Sequence, residues 1–136
     1  MTHRDRKMQD QRRSVLLVED EALIRMMLAG EFEDGGFEVH EAGSADKAVA
    51  LLEAGLEVTA VVTDVRMPGS MDGLGLTAWL ADRRPGLPVV IISGYVAASE
   101  AVGLNPAVVA VLSKPYNPID IVTLVSGPVF GGSVEP

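Results

Sequence analysis

The sequence predicts a single α/β domain: a doubly wound, five-stranded parallel sheet with helices on both faces. Three observations carry this expectation. Short strand-like runs recur at 15–18, 37–42, 58–62, 89–92 and 108–112, most of them Val-, Ile- or Leu-rich without polar alternation, as strands buried on both faces are. Helical patterns separate the runs, and that βαβ alternation is the signature of a parallel sheet. The links are short, and 136 residues suffice for one real core, with no internal repeat and no second domain.

Val15-Leu16-Leu17-Val18 forms the first strand and stops at Glu19-Asp20. A first helix from about Glu21 to Asp34 is expected to bury Ile24, Met27, Leu28 and Phe32, with Gly35-Gly36 as its left-handed stop. Phe37 to Ala42 is the second strand. Ser44 caps a second helix that buries Ala48, Val49 and Leu52 and ends at Gly55. The stretch Val58 to Gly73, VTAVVTDVRMPGSMDG, organises the chain. Its β-branched strand stops at Asp64, and Met67-Pro68-Gly69 breaks the chain beyond it into a loop. A third helix from about Leu74 to Arg83 buries Leu76 and either Trp79 or Leu80. Pro85 to Pro88 turns into the fourth strand, Val89 to Ile92, which ends at Ser93-Gly94. Tyr95 to Asn105 is the weakest element, a short or frayed helix cut by Gly103 and Pro106. Val108 to Leu112 is the fifth strand and ends at Ser113-Lys114-Pro115. Pro118 opens the last helix, about Ile119 to Val125, and Gly127-Pro128 ends it. The expected organisation is a basic, disordered extension over 1–13, the domain over 14–126 and a loose tail over 127–136.

Charge and composition narrow the function. The net charge of −8 is uneven: residues 1–14 carry five Lys/Arg against two Asp/Glu, and the other 122 carry six against seventeen. So acidic a body repels nucleic acid and suits a divalent cation. No apolar run approaches the ~18 residues of a membrane span. The first fourteen residues are polar and lack a secretory pattern, so a cytoplasmic location without membrane contact is expected. The chain has no cysteine, which removes disulfides, thiolate metal sites and cysteine catalysis.

A parallel sheet aligns the C-terminal ends of its strands along one edge, and in the flavodoxin-like strand order 2-1-3-4-5 a crevice opens between the first and third strands. Glu19 and Asp20, Asp64, Ser93 and Lys114 stand at those ends. Three carboxylates at one point need a cation or a raised pKa. Mg²⁺ fits, because it takes oxygen ligands and binds through one or two carboxylates plus phosphate oxygens. Asp64 can then act as a nucleophile on phosphorus. Lys114 supplies a compact positive charge and Ser93 a hydroxyl donor for the transferring group. Singly, each has a plainer reading: Glu19-Asp20 as a helix cap, Asp64 and Ser93-Gly94 as turn residues, Lys114 as a surface lysine. The joint pattern, in order and at four strand ends, carries the inference.

The motifs LLVEDE, TDVRMPGSMDG, VIISGY and LSKPY, spread from about Ser14 to Val125, resemble the receiver domains of bacterial two-component response regulators. The resemblance implies that Asp64 is the phosphoacceptor. It implies that Glu19 and Asp20 hold Mg²⁺ with Asp64 and the backbone carbonyl of Arg66. Ser93 would be the switch hydroxyl and Lys114 the lysine that pairs with the phosphoryl group, ahead of a cis peptide bond to Pro115. The implied donor is a sensor histidine kinase or a histidine phosphotransfer protein. With about eleven residues after the last helix, the expected output is a stand-alone domain that signals through a partner protein. A dimer through the 95–105 segment, the fifth strand and the last helix is a further option. Phosphorylation is expected to order or reshape residues 95–105.

Two features depart from the family. The loop MPGSMDG is one residue longer than its commonest spacing, and Val111 stands where the family has an aromatic residue three positions before the lysine. Tyr95 and Tyr116 are the candidate substitutes, and both, with Arg66, are expected to modulate the site. Two other readings compete. A pseudo-receiver, a scaffold independent of phosphorylation, draws on Val111. A haloacid-dehalogenase-like phosphatase needs a second Asp two residues after the nucleophile, where this chain has Arg66. A nucleotide or flavin module lacks its Gly-rich loop after the first strand.

Overall fold

A computed structural model describes residues 13–93 and 108–127, without the side chains of 108 and 109. Within these, β1 (Ser14–Val18), α1 (Ala22–Asp34), β2 (Glu38–Ala42), α2 (Ala45–Glu53), β3 (Ala60–Asp64), α3 (Gly73–Arg83) and β4 (Val89–Ser93) follow one another, then β5 (Val108–Ser113) and α4 (Pro118–Val125). The strands form one sheet in the order β2-β1-β3-β4-β5, and every pairing is parallel. The expected fold class is therefore the observed one.

The strand sequences explain their places. β1, β3 and β4 are buried along their whole length, which is why they read as unbroken apolar runs. β2 is an edge strand and is only partly buried, with Glu38 and Glu41 exposed and Ala42 buried. Side chains on the inner strands point alternately to two core layers. Leu16, Val18, Val61, Val89 and Ile91 pack against α2 and α3 through Ala48, Leu52, Leu76 and Leu80. Val15, Leu17, Val62, Val90 and Ile92 pack against α1 and α4 through Leu28, Phe32, Ile121 and Val125.

Helix starts follow their caps. The side chains of Ser44, Asp72 and Asn117 accept hydrogen bonds from the backbone amides of Lys47, Gly75 and Ile119, at 3.1, 2.9 and 3.0 Å. Of the glycine pair after α1, Gly36 takes the left-handed conformation, with φ of 90°.

Some expectations need correction. Met27 is 61% exposed rather than buried. The inward stripe of α1 is Leu28, Ala29 and Phe32, drawn in by an edge-to-face contact of Phe32 with Phe37, whose centroids are 5.0 Å apart. Leu23 and Met26 are exposed as well, so α1 is apolar on both sides and its inward face is not legible from spacing. Val49 and Trp79 are half-buried, and Leu80 takes the core position between the two alternatives on α3. The Arg83 guanidinium lies 5.4 Å over the Trp79 ring. The expected 95–105 helix, the 1–13 extension save Arg13, and the tail beyond Gly127 lie outside the described residues. Among the described residues no helix is long and apolar enough to cross a membrane.

Candidate functional site

Asp64 is the last residue of β3 and only 6% exposed. Its two carboxylate oxygens have different partners. Lys114 Nζ donates to Oδ2 at 2.6 Å, and the Arg66 backbone amide donates to Oδ1 at 3.3 Å. Register brings the other strand ends alongside. Asp64 pairs with Ile92, so Ser93 lies one residue further along β4, and Ser93 pairs with Ser113 just before Lys114. The Lys114 amide donates to the Ser93 carbonyl at 3.1 Å, which ties these two ends together. Asp20, Glu21, Asp64, Val65, Arg66, Ser93 and Lys114 line a cavity of about 310 Å³.

The loop after Asp64 is shaped by two glycines. The Gly73 amide, at the start of α3, donates to the Val65 carbonyl at 2.8 Å, and a Cβ at Gly73 would collide with the Asp64 carbonyl. Only glycine lets the helix start this close to the strand end. Gly69, with φ of 113°, turns the chain within the loop. There the amide and hydroxyl of Ser70 donate to the two carboxylate oxygens of Asp46, at 3.1 and 2.7 Å. The loop is thus tethered to the first turn of α2.

The acidic pair is held mainly through the backbone of Glu19. Its amide donates to the Ala42 carbonyl at 3.1 Å, and its carbonyl accepts from the Arg25 guanidinium at 2.7 Å. The Glu19 side chain is buried, and its Oε2 accepts from the Glu21 amide at 2.9 Å. Burial pushes the Glu19 pKa up to about 7; the Glu21 amide opposes this and the charge of Asp64 reinforces it. For Lys114, burial alone would lower the pKa, but the hydrogen bond and charge of Asp64, with Glu19 behind it, hold it above the ordinary lysine value. Burial raises Tyr116, and the charge of Glu19 adds to it.

The fold therefore gathers Asp20, Asp64, Arg66, Ser93 and Lys114 around one cavity. Glu19 is buried and is not among the lining residues. Glu21 does line it, and sequence reasoning passes it over although it is the third acid of LLVEDE. Val111 packs in the layer with α2 and α3, whereas Tyr116 packs in the layer with α1 and α4, so the tyrosine lies across the sheet from the valine. Tyr95 lies outside the described residues. The Lys114-Pro115 bond is cis, as expected.

Among the described residues, no three or more Asp, Glu, His or Cys side chains form a closed metal cage. The oxygen donors around the cavity suit a cation that keeps most of its water and asks for only one or two carboxylates, which describes Mg²⁺ better than Zn²⁺ or Ca²⁺.

A parallel sheet in this order, with a buried aspartate and a lysine paired at its C-terminal edge, defines a receiver-type signalling domain. The chain belongs to the response regulator receiver domain family, whose family model matches residues 15–126. It is 35% identical over 114 residues to a putative NtrX-like response regulator of Rickettsia conorii, covering 82% of this chain and 24% of that protein. It is 38% identical over 116 residues to the sensor kinase CckA of Brucella abortus, covering 82% of this chain and 12% of that protein. The chain thus spans about a quarter or less of these relatives. Among solved structures, the receiver domain of NtrX from Brucella abortus superposes with a TM-score of 0.73 at 32% identity, covering 88% of this chain and 99% of that one. A CheY-like receiver domain protein from Methanospirillum hungatei JF-1 reaches 0.78 at 26% identity, covering 86% and 93%.

Proposed function

We propose that this domain accepts a phosphoryl group on Asp64 from a phosphohistidine of a sensor kinase or a histidine phosphotransfer protein. The observation that carries this reading is the Asp64 carboxylate, buried at the strand end with Lys114 on one oxygen and the cavity beside it. An Asp64 oxygen attacks phosphorus, the phosphorus–nitrogen bond of the donor breaks, and the imidazole leaves with the bonding pair and takes up a proton. Lys114 moves from the carboxylate toward the incoming phosphoryl oxygens, and the Ser93 hydroxyl donates to them. Asp20, Asp64 and the Arg66 carbonyl would hold Mg²⁺, with Glu19 behind them. When bound, the ion neutralises charge on the transferring group and leaves phosphoryl transfer mainly a matter of positioning.

The domain then assists the making and breaking of its own acyl phosphate and signals through a partner protein, in the cytoplasm where such kinases phosphorylate. Arg66 and Tyr95 complete the reading as residues that tune the lifetime of the phosphoryl group. Arg66 lacks the acid/base chemistry that a haloacid-dehalogenase-like phosphatase requires two residues after its nucleophile. Incubation with Mg²⁺ and acetyl phosphate, followed by intact mass spectrometry, tests the proposal. One phosphoryl adduct is expected in the wild type and none in Asp64→Asn. An unmodified wild type would leave the scaffold reading, for which Val111 speaks.

A further inference from the structure

Arg25, on α1, lies outside the phosphorylation cavity and joins three elements. Its Nη1 donates to the Glu19 carbonyl at 2.7 Å, just past β1, and its Nε donates to Glu41 Oε1 at 3.0 Å, on β2. The Arg25 side chain is 20% exposed; its bond to the Glu19 carbonyl is half-buried, and its bond to Glu41 lies at the surface. The end of β2 is bare where the guanidinium passes: a Cβ at Gly43 would come within 3.4 Å of Nη1. A planar guanidinium that donates along two directions from a fixed stem sets geometry better than a single donor does. The carbonyl it grips belongs to the residue before Asp20. Asp20 is exposed, so its carboxylate takes its position from the backbone that carries it.

We propose that Arg25 is a positioning residue for the divalent cation: it clamps the Glu19 carbonyl to α1 and β2 and so fixes where Asp20 presents its carboxylate. This rests on the reading of Asp20 and Asp64 as cation ligands. Two effects of losing Arg25 have opposite signs. Removing a positive charge and leaving Glu41 unpaired makes the neighbourhood more negative, and Coulomb's law alone then tightens cation binding. Loosening the backbone under Asp20 weakens it, and loss of a partner behind a metal ligand typically costs about 10–100-fold in affinity. The positioning role requires that the second effect win.

Calorimetric titration of the full chain with Mg²⁺, beside thermal unfolding in EDTA, decides between them. Arg25→Ala is expected to bind Mg²⁺ about tenfold more weakly. Arg25→Lys, whose ammonium reaches one acceptor, should recover part of the loss. Equal or tighter binding by Arg25→Ala overturns the proposal, as does a lowered melting temperature with unchanged affinity, which marks a merely structural tie. If Arg25→Ala does not fold, Arg25→Gln is read by the same criteria. A wild type that binds no Mg²⁺ overturns the ligand reading itself, a result distinct from a variant that matches a binding wild type.

Discussion

Glu19 is a carboxyl whose chemistry depends on its depth. Its place at a strand end is legible in LLVEDE, but its burial is not, because nothing in the sequence distinguishes it from the exposed Asp20 beside it. At 4% exposure, its pKa rises from 4.5 to about 7. A carboxyl raised on folding contributes stability while it is neutral in the folded chain, and that contribution disappears as pH climbs from the unfolded value through the folded one. The metal-free protein should therefore lose stability between about pH 5 and pH 8, by up to about 3 kcal/mol at roughly 1.4 kcal/mol per pKa unit. Urea unfolding in EDTA across that range should show the slope in the wild type and a flatter profile in Glu19→Gln. An identical slope in both would remove Glu19 as its source. Asp64, Ser93 and Lys114 are legible for a simpler reason: each stands at the polar end of an apolar run, and parallel register does the rest.

The start of α3 shows what spacing alone leaves unread. Gly73 reads as an ordinary glycine ahead of a helix, yet it stands against the backbone of Asp64. In Gly73→Ala the new Cβ would meet main-chain atoms of Asp64 and Val65, which have no rotamer to escape into. Overpacking of this kind costs on the order of 1–3 kcal/mol. The variant should unfold at lower urea and take up less phosphoryl from acetyl phosphate, because relief comes only by shifting the Asp64 carbonyl or the helix. Wild-type midpoint and phosphorylation would contradict the close approach. The loop beside it is visible in the sequence from Met67-Pro68-Gly69, but its tether to Asp46 is not, since Ser70 and Asp46 lie 24 residues apart and meet only in the fold. On α1 the difficulty is different in kind. Leu23, Met26 and Met27 compete with Leu28 and Phe32 as a stripe, and only packing against β1 and β2 chooses between them.

Across the whole molecule the sheet works as an alignment device. Its strands carry two alternating core layers, and their common register delivers Asp64, Ser93 and Lys114 to a single edge. That much is legible because fully buried parallel strands leave uninterrupted apolar runs. Which faces Val111 and Tyr116 occupy is not, since one lies in a strand and the other beyond a cis proline, where period-2 counting stops applying. The same layout says where a phosphoryl group would be felt. Ser93 and Lys114 are the two polar ends between which residues 94–113 run, and both would exchange partners when Asp64 is modified: Lys114 gives up Asp64 Oδ2, and the Ser93 hydroxyl turns to the new oxygens. A local charge that contacts both ends biases whatever lies between them. Amide hydrogen exchange with Mg²⁺ and beryllofluoride, against Mg²⁺ alone, should therefore change most within residues 94–107 and least in α2 and β2, which lie away from the Ser93–Lys114 edge. Equal protection of 94–107 in both conditions would mean that the charge at Asp64 is read elsewhere.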